Sequence, residues 1–326
     1  MIENKKILVT GGAGFIGSNL AEKLLAHNNK VTVLDNFSTG SRSNLANFAD
    51  NGNFTLIEGD IRDYNTCLQA SDGQDYILHQ AALGSVPRSI LDPMTSTDVN
   101  IGGFVKMLHA AVECKVKRFV YAASSSTYGD STQLPKVEEN IGKPLSPYAI
   151  SKYVNELYAE NFHKIYGIDC IGLRYFNVFG RRQSPDGAYA AVIPKFAAAL
   201  LKKESPVING DGSYSRDFTY IDNVIQANIL ALETENPAAL NQVYNVACGK
   251  SATLNELFDH LRSSLAQFDP EIAEIQPVYG PARLGDVPHS LADISKIRRL
   301  LKYSPSKTAS EGIKLAAEYY FNLYNK

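Results

Sequence analysis

The chain reads as an α/β protein: a doubly wound parallel sheet carrying a smaller mixed α/β substrate domain. Three observations predict this. Short β-rich runs alternate with helix-length segments through the first half. Those runs are continuously apolar, as strands covered on both faces are. A glycine-rich turn joins the first strand to the first helix. At 326 residues and 44% hydrophobic, the chain can bury a large core. A formal net charge of −2 gives no electrostatic reason to expect nucleic acid or an anionic membrane as partner. The opening MIENKK runs into ILVT without the apolar stretch of a signal peptide, and no apolar run reaches membrane-spanning length. Cys67, Cys114, Cys170 and Cys248 are scattered singly. The expectation is a cytoplasmic, reduced protein with no structural metal.

The first element, ILVTGGAGFIGSNLAEKLL, is a strand, a glycine turn and a helix. Gly12, Gly14 and Gly17 fit the G-x-G-x-x-G fingerprint, and Gly11 extends it. Such glycines permit a tight turn and let the backbone N–H groups of the helix start, at Phe15 and Ile16, approach a pyrophosphate. The second strand, KVTVLDN, ends on Asp35, 18 residues after Gly17. An acidic residue there accepts hydrogen bonds from an adenosine ribose and repels a 2′-phosphate, which favours NAD over NADP. A third strand ends at Asp60 and Ile61, which either flank the adenine or simply cap the strand. The fourth, YILHQAA, brings small Ala81 and Ala82 to the same edge. His79 in it reads as a core histidine, because no second ligand stands at metal-binding spacing.

The fifth strand, RFVYAASSS, puts Ser124 and Ser126 on one face and Ser125 on the other. The next helix starts in LSPYAISKYVNEL. Ser146 suits the N-cap and Pro147 the first helical position. Tyr148 and Lys152 then share a face one turn apart, so a lysine cation and the positive helix end would favour the tyrosine phenolate, a general base. Beyond residue 177 the pattern turns irregular, apart from one further strand, NQVYNVACG. The expected division is residues 1–176 for the dinucleotide domain, with a return segment at about 219–247, and residues 177–218 and 248–326 for the substrate domain.

The fingerprint, Asp35, the serines and Tyr148-x-x-x-Lys152, in that order, resemble the extended short-chain dehydrogenase/reductase family, with its Rossmann fold. Within it the chain is similar end to end to nucleotide-sugar 4-epimerases, through TGGAGFIGSNL, LDNFSTG, GDIRD, SSSTYG, SPYAISK, LRYFNVFG, RDFTYIDN and RLGDVPHSLAD. It looks closest to bacterial UDP-N-acetylglucosamine 4-epimerases of surface-polysaccharide synthesis. One departure concerns the serines: many epimerases carry SSSATVYG, whereas here the triplet stands two residues nearer Tyr128-Gly129. Counted back from that pair, Ser124 fills the catalytic slot and Ser126 the threonine slot.

The resemblance implies Tyr148 as base, Ser124 or Ser126 as hydrogen-bond donor, and Lys152 on the nicotinamide ribose. It implies Asn36, Ser38, Gly40, Gln80 and Phe176 as further NAD contacts, and Arg216, Arg283 and Asn177 around a UDP diphosphate. Gly84, Ser85, Ser125, Gln183, Ala191, Asp286 and Ser290 would complete the sugar pocket. In the epimerases it resembles, the position of Ser290 borders the sugar C2 group, and forms restricted to plain hexoses carry tyrosine there; serine leaves room for an acetamido group. The implied activity is interconversion of UDP-GlcNAc and UDP-GalNAc, and also of UDP-glucose and UDP-galactose.

A 4,6-dehydratase would need an Asp-Glu pair where Ser125 and Ser126 stand. A UDP-uronate 4-epimerase or decarboxylase stays open, as does a catalytically inactive NAD-binding interaction protein. Along the Tyr148 helix, Ile150, Tyr153, Val154, Leu157, Tyr158, Phe162 and Ile165 form an apolar stripe wide enough to pair with a second subunit, so a homodimer is expected.

Overall fold

The computed structural model describes residues 2–185, 191–281 and 287–324. Seven parallel strands form the sheet: β1 (Lys6–Thr10), β2 (Lys30–Asp35), β3 (Phe54–Glu58), β4 (Tyr76–His79), β5 (Arg118–Ser124), β6 (Asp169–Tyr175) and β7 (Gln242–Val246). Their order is β3-β2-β1-β4-β5-β6-β7. The chain moves outward from β1 in one direction and then, from β4, in the other. A crevice therefore opens at the carboxyl ends between β1 and β4, where such sheets bind ligands.

Strand alternation sorts the apolar side chains between two layers. Ile7 and Val9 face one hydrophobic cluster and Leu8 the other. The first cluster takes in helices α1 (Phe15–Leu25) and, later in the chain, α6 (Ile221–Glu233). The second takes in α2 (Tyr64–Ser71), α3 (Phe104–Glu113) and part of α4 (Pro147–Tyr166). Burial on both faces is why these strands read as unbroken apolar runs. The first cluster continues into α5 (Val192–Leu201), α7 (Leu254–Leu265) and α8 (Ala309–Tyr324), the helices of the smaller part. A short parallel pair, Val207–Asn209 with Val278–Gly280, completes that part. Among the described residues no helix is long and apolar enough to cross a membrane.

Helix α4 begins as its sequence predicts. Ser146 Oγ accepts the Ala149 N–H at 3.1 Å, Pro147 takes the first position, and Gly167 ends the helix at φ +75°. Tyr148, Lys152 and Glu156 fall on one stripe, four residues apart. Glu156 receives a bidentate pair from Arg174 of β6, Nε to Oε1 at 2.9 Å and Nη2 to Oε2 at 2.7 Å, with both side chains buried. Arg174 also donates through Nη1 to the Glu138 carbonyl at 2.9 Å, and its guanidinium lies 4.9 Å from the Tyr128 ring centre. The helix is thus tied to the sheet by a satisfied charge pair rather than by apolar contact alone.

Replacing Glu156 by Gln leaves the Arg174 cation buried without its counter-charge, and is expected to lower the unfolding free energy by about 3–5 kcal/mol. Urea titration measures it; a loss below about 1 kcal/mol would mean that the neighbouring carbonyl and ring suffice.

Candidate functional site

The crevice is a cleft of about 1550 Å³. That exceeds the few hundred to roughly 1,000 Å³ of a one-ligand site, so it has room for a cofactor and a second molecule of similar size. Its dinucleotide end is built by the glycine turn. Gly11 has φ +65°, and a Cβ there would lie 2.7 Å from the Ala81 nitrogen; a Cβ on Gly17 would lie 2.2 Å from the Gly11 oxygen. Gly14 brings no side chain to cap α1, which leaves its first-turn N–H groups available to an anion. Asp35 is held by the Ala13 N–H at 2.9 Å and the Phe37 N–H at 2.8 Å, one on each oxygen. A second lone pair on each oxygen is left for ribose hydroxyls.

Asn36 and Ser38 line the cleft beside Asp35, with Asn36 donating to Asp60 at 2.9 Å. Asp60 also takes three hydrogen bonds from the Arg62 side chain and one from its backbone N–H, so Arg62 above all holds its carboxyl down at about 2. The two readings of Asp60 merge: it caps the strand end and lies on the cleft wall. Ile61, Gln80, Ala81, Ala82, Gly84 and Ser85 are on the wall too. Gly40 stands behind it, packed on Ala13.

At the chemical end, Ser124, Tyr148 and Lys152 line the cleft together. Ser126 donates to Ser124 Oγ through its N–H at 3.2 Å and its hydroxyl at 2.9 Å. With its oxygen so engaged, Ser124 directs its own proton outward. Of the two candidate serines, Ser124 meets the cleft; Ser125 and Ser126 do not line it, and Ser126 acts by holding Ser124. Burial raises the Tyr148 hydroxyl above the usual tyrosine value, and a hydrogen bond with Ser124 works against that rise. Burial pushes the Lys152 ammonium down to about 8, and its Nζ donates to the Ala122 carbonyl at 2.9 Å. Lys152 is turned to a backbone carbonyl, and Ser124 is the group that opposes the desolvation of Tyr148.

Other expected contacts separate. Asn177, Gln183 and Ala191 line the cleft. Phe176 is fully buried behind it, its ring 5.9 Å from Tyr128. Arg216 is off the wall, donating to the carbonyls of Ser215 at 2.9 Å and Pro288 at 3.0 Å. Ser290 is half-buried, also off the wall, with its N–H on the Ser215 carbonyl at 3.0 Å. Arg283 and Asp286 lie outside the described residues. His79 is a buried neutral histidine, bonded to Thr10 Oγ1 at 2.9 Å and held by burial at about 3. Three basic residues on the wall, Arg88, Arg182 and Lys195, escape sequence reading, because no motif spacing marks them. They share the wall with Asp35 and Asp60, and Arg182 is paired with Glu22.

The sign of a pH effect follows from Lys152. Above about pH 8 the folded chain sheds this proton, while the unfolded chain keeps it up to its ordinary value of 10.5. Over that window the group's contribution to stability rises with pH. Cofactor-free wild type should accordingly gain stability relative to Lys152→Met between pH 8 and 10, read as paired thermal melts; a gap that does not change with pH contradicts the assignment.

The geometry agrees with what known proteins show. A match to the NAD dependent epimerase/dehydratase family spans residues 7–247. The chain is 35% identical to the UDP-glucose 4-epimerase of Mycolicibacterium smegmatis over 97% of its length and 99% of that protein's. Its fold superposes with a TM-score of 0.92 on a UDP-N-acetylglucosamine 4-epimerase from Methanobrevibacter ruminantium M1 in complex with UDP-N-acetylmuramic acid, at 40% identity over 99% of this chain and 100% of that one. It superposes with a TM-score of 0.84 on the Thermus thermophilus UDP-glucose 4-epimerase complex with NAD, at 32% identity over 97% of this chain and 99% of that one. The uncapped glycine turn, the ribose-ready Asp35 and the Ser124–Tyr148–Lys152 cluster place the chain in the NAD dependent epimerase/dehydratase family, among its nucleotide-sugar epimerases, with NAD as its cofactor.

Proposed function

We propose that the protein interconverts UDP-GlcNAc and UDP-GalNAc by inverting C4 through a transient 4-keto sugar, and accepts UDP-glucose and UDP-galactose as well. The observation that carries this is the meeting of Ser124 and Tyr148 at the edge of a cleft whose other end is a dinucleotide turn. NAD, which the Gly11–Gly17 turn and Asp35 would hold, would supply a reversible hydride acceptor for C4 and a positive charge that favours the ionised tyrosine. Ionised Tyr148 takes the proton of the sugar 4-hydroxyl, and Ser124 donates a hydrogen bond to the same oxygen. On the return step Tyr148 gives the proton back. Lys152, poised near neutrality by burial, is suited to pass a proton between solvent and this cluster.

Substrate choice rests on space and charge. Gly84 and Ala191 are small residues on the wall, which leaves room for an acetamido group, and the similar Methanobrevibacter enzyme is named for an acetylated sugar. Arg88 and Lys195 bring cations to the wall for the nucleotide diphosphate, while Arg182 is held on Glu22. Ser125 and Ser126, in place of a carboxylate pair after β5, speak against dehydration.

Incubation with each of the four UDP-sugars, without added NAD, should give the 4-epimer by NMR and release no net NADH. Tyr148→Phe should slow turnover by about 10²- to 10⁴-fold with bound NAD unchanged. NADH accumulating in proportion to turnover would make the protein a dehydrogenase, and conversion of UDP-glucuronate alone would make it a uronate enzyme.

A homodimer is part of the proposal. Ile150, Leu157, Tyr158 and Ile165 of α4 are exposed, next to exposed Ile90, Leu91 and Met94 of the adjoining short helices. Phe162 departs from the expected stripe: it is buried in its own subunit among the rings of His109, Tyr158 and Tyr166. Sedimentation should show a dimer at micromolar concentration and a monomer for Leu157→Arg. A wild-type monomer would end the proposal.

A further inference from the structure

Helix α1 meets the chain a second time, far from the glycine turn. The Gly180–Gln183 turn leads from β6 toward the substrate side of the cleft, and its backbone is in unusual conformations, with φ +148° at Gly180 and +67° at Arg182. Three residues on one face of α1 hold it there. Arg182 Nη2 donates to Glu22 Oε1 at 2.6 Å and its Nη1 to the Ser18 carbonyl at 3.2 Å. Asn19 donates to the Arg181 carbonyl at 3.1 Å. The Arg182 side chain is only 8% exposed and that of Glu22 34% exposed, so the pair is partly shielded from solvent. On the far side of the turn, Gln183, Ser184, Pro185, Ala191 and Lys195 line the cleft. Glu22 itself does not reach the cleft wall.

We infer that Glu22 is a positioning residue: through Arg182 it fixes the arm of the sugar-nucleotide site against the helix whose first turn receives the cofactor. A non-glycine residue at positive φ is held there at a cost, and persists where its side chain is tied down. The Glu22 carboxylate ties it and also neutralises a cation that faces the cleft. Without Glu22 the Arg182 side chain loses its anchor and the turn is released from α1. The cofactor end, built from Gly11, Gly17 and Asp35, is untouched by that change. The consequence belongs to the nucleotide of the substrate rather than to NAD.

This inference rests on the reading of the cleft as a UDP-sugar site, and UDP itself is the probe. Calorimetric titration of UDP into the NAD-loaded protein would be carried out for wild type, Glu22→Gln, Arg182→Gln and the double variant, with bound NAD measured for each. Glu22→Gln is isosteric, and a thermal melt confirms its fold. The expectation is about fivefold weaker UDP binding in each single variant, a double variant no weaker than the worse single, and unchanged NAD content. For UDP-sugar turnover, KM should rise with kcat within about twofold. Wild-type UDP affinity in Glu22→Gln, single effects that multiply in the double variant, or loss of NAD with UDP would each overturn it. If wild type binds no UDP at all, the reading of the site fails instead.

Discussion

The site depends on one buried ion pair. Tyr148 and Lys152 stand at the start of a 20-residue helix, held there by single bonds to Ser89 Oγ and the Ala122 carbonyl, and a further contact fixes how far that helix slides along the sheet. Glu156, one turn beyond Lys152, does so by its two-pronged contact with Arg174 near the carboxyl end of β6. Planar guanidinium-to-carboxylate pairing tolerates little displacement, so it sets register as well as distance. The next residue of β6, Tyr175, is the register partner of Ser124. The strand that holds the helix thus also flanks the serine that meets the tyrosine. The tie extends outward: Asn245 accepts the Tyr128 hydroxyl at 2.6 Å, and its N–H reaches Glu138 at 2.9 Å, so β7 joins the same network. A fully satisfied buried network of this kind specifies one arrangement, where apolar packing alone would permit several.

Burial governs the chemistry in turn. It works on both members of the Tyr-Lys pair in the direction of neutrality, raising the tyrosine and lowering the lysine to about 8. The cleft is therefore at rest with its base protonated and a lysine that exchanges its proton near physiological pH. A base of that kind would be activated by the positive charge that an oxidised nicotinamide cofactor would supply. Ser124, its acceptor capacity filled by Ser126, is left as a donor to whatever oxygen lies between it and Tyr148.

Much of this is legible in the residues because the relevant signals are local. Strand-turn-helix patterning, the glycine spacing, Asp35 and the Ser-Pro-Tyr start of α4 each follow from short-range backbone rules, and each lies where expected. What depends on tertiary placement is less legible. The direction of the Lys152 side chain is set by the Ala122 carbonyl on a distant strand, which no spacing discloses. Asp217, beside the expected Arg216, is the clearest omission. Its buried carboxylate accepts the N–H groups of Cys248, Gly249 and Ala292, burial raises it to about 6, and it stitches three chain segments that are remote in sequence. Arg182 escapes for the same reason, since its partner Glu22 lies 160 residues away. Ser290 and Arg216 both bond the Ser215 carbonyl, a tertiary contact that no spacing discloses.

The central claim is a closed redox cycle in which the hydrogen removed from C4 is the one returned. The direct measurement is epimerisation of UDP-GlcNAc carrying deuterium at C4, followed by NMR and mass spectrometry. The account requires deuterium at C4 of the UDP-GalNAc formed, with none lost to water. Washout of the label into solvent, or its accumulation in released reduced dinucleotide, would contradict it.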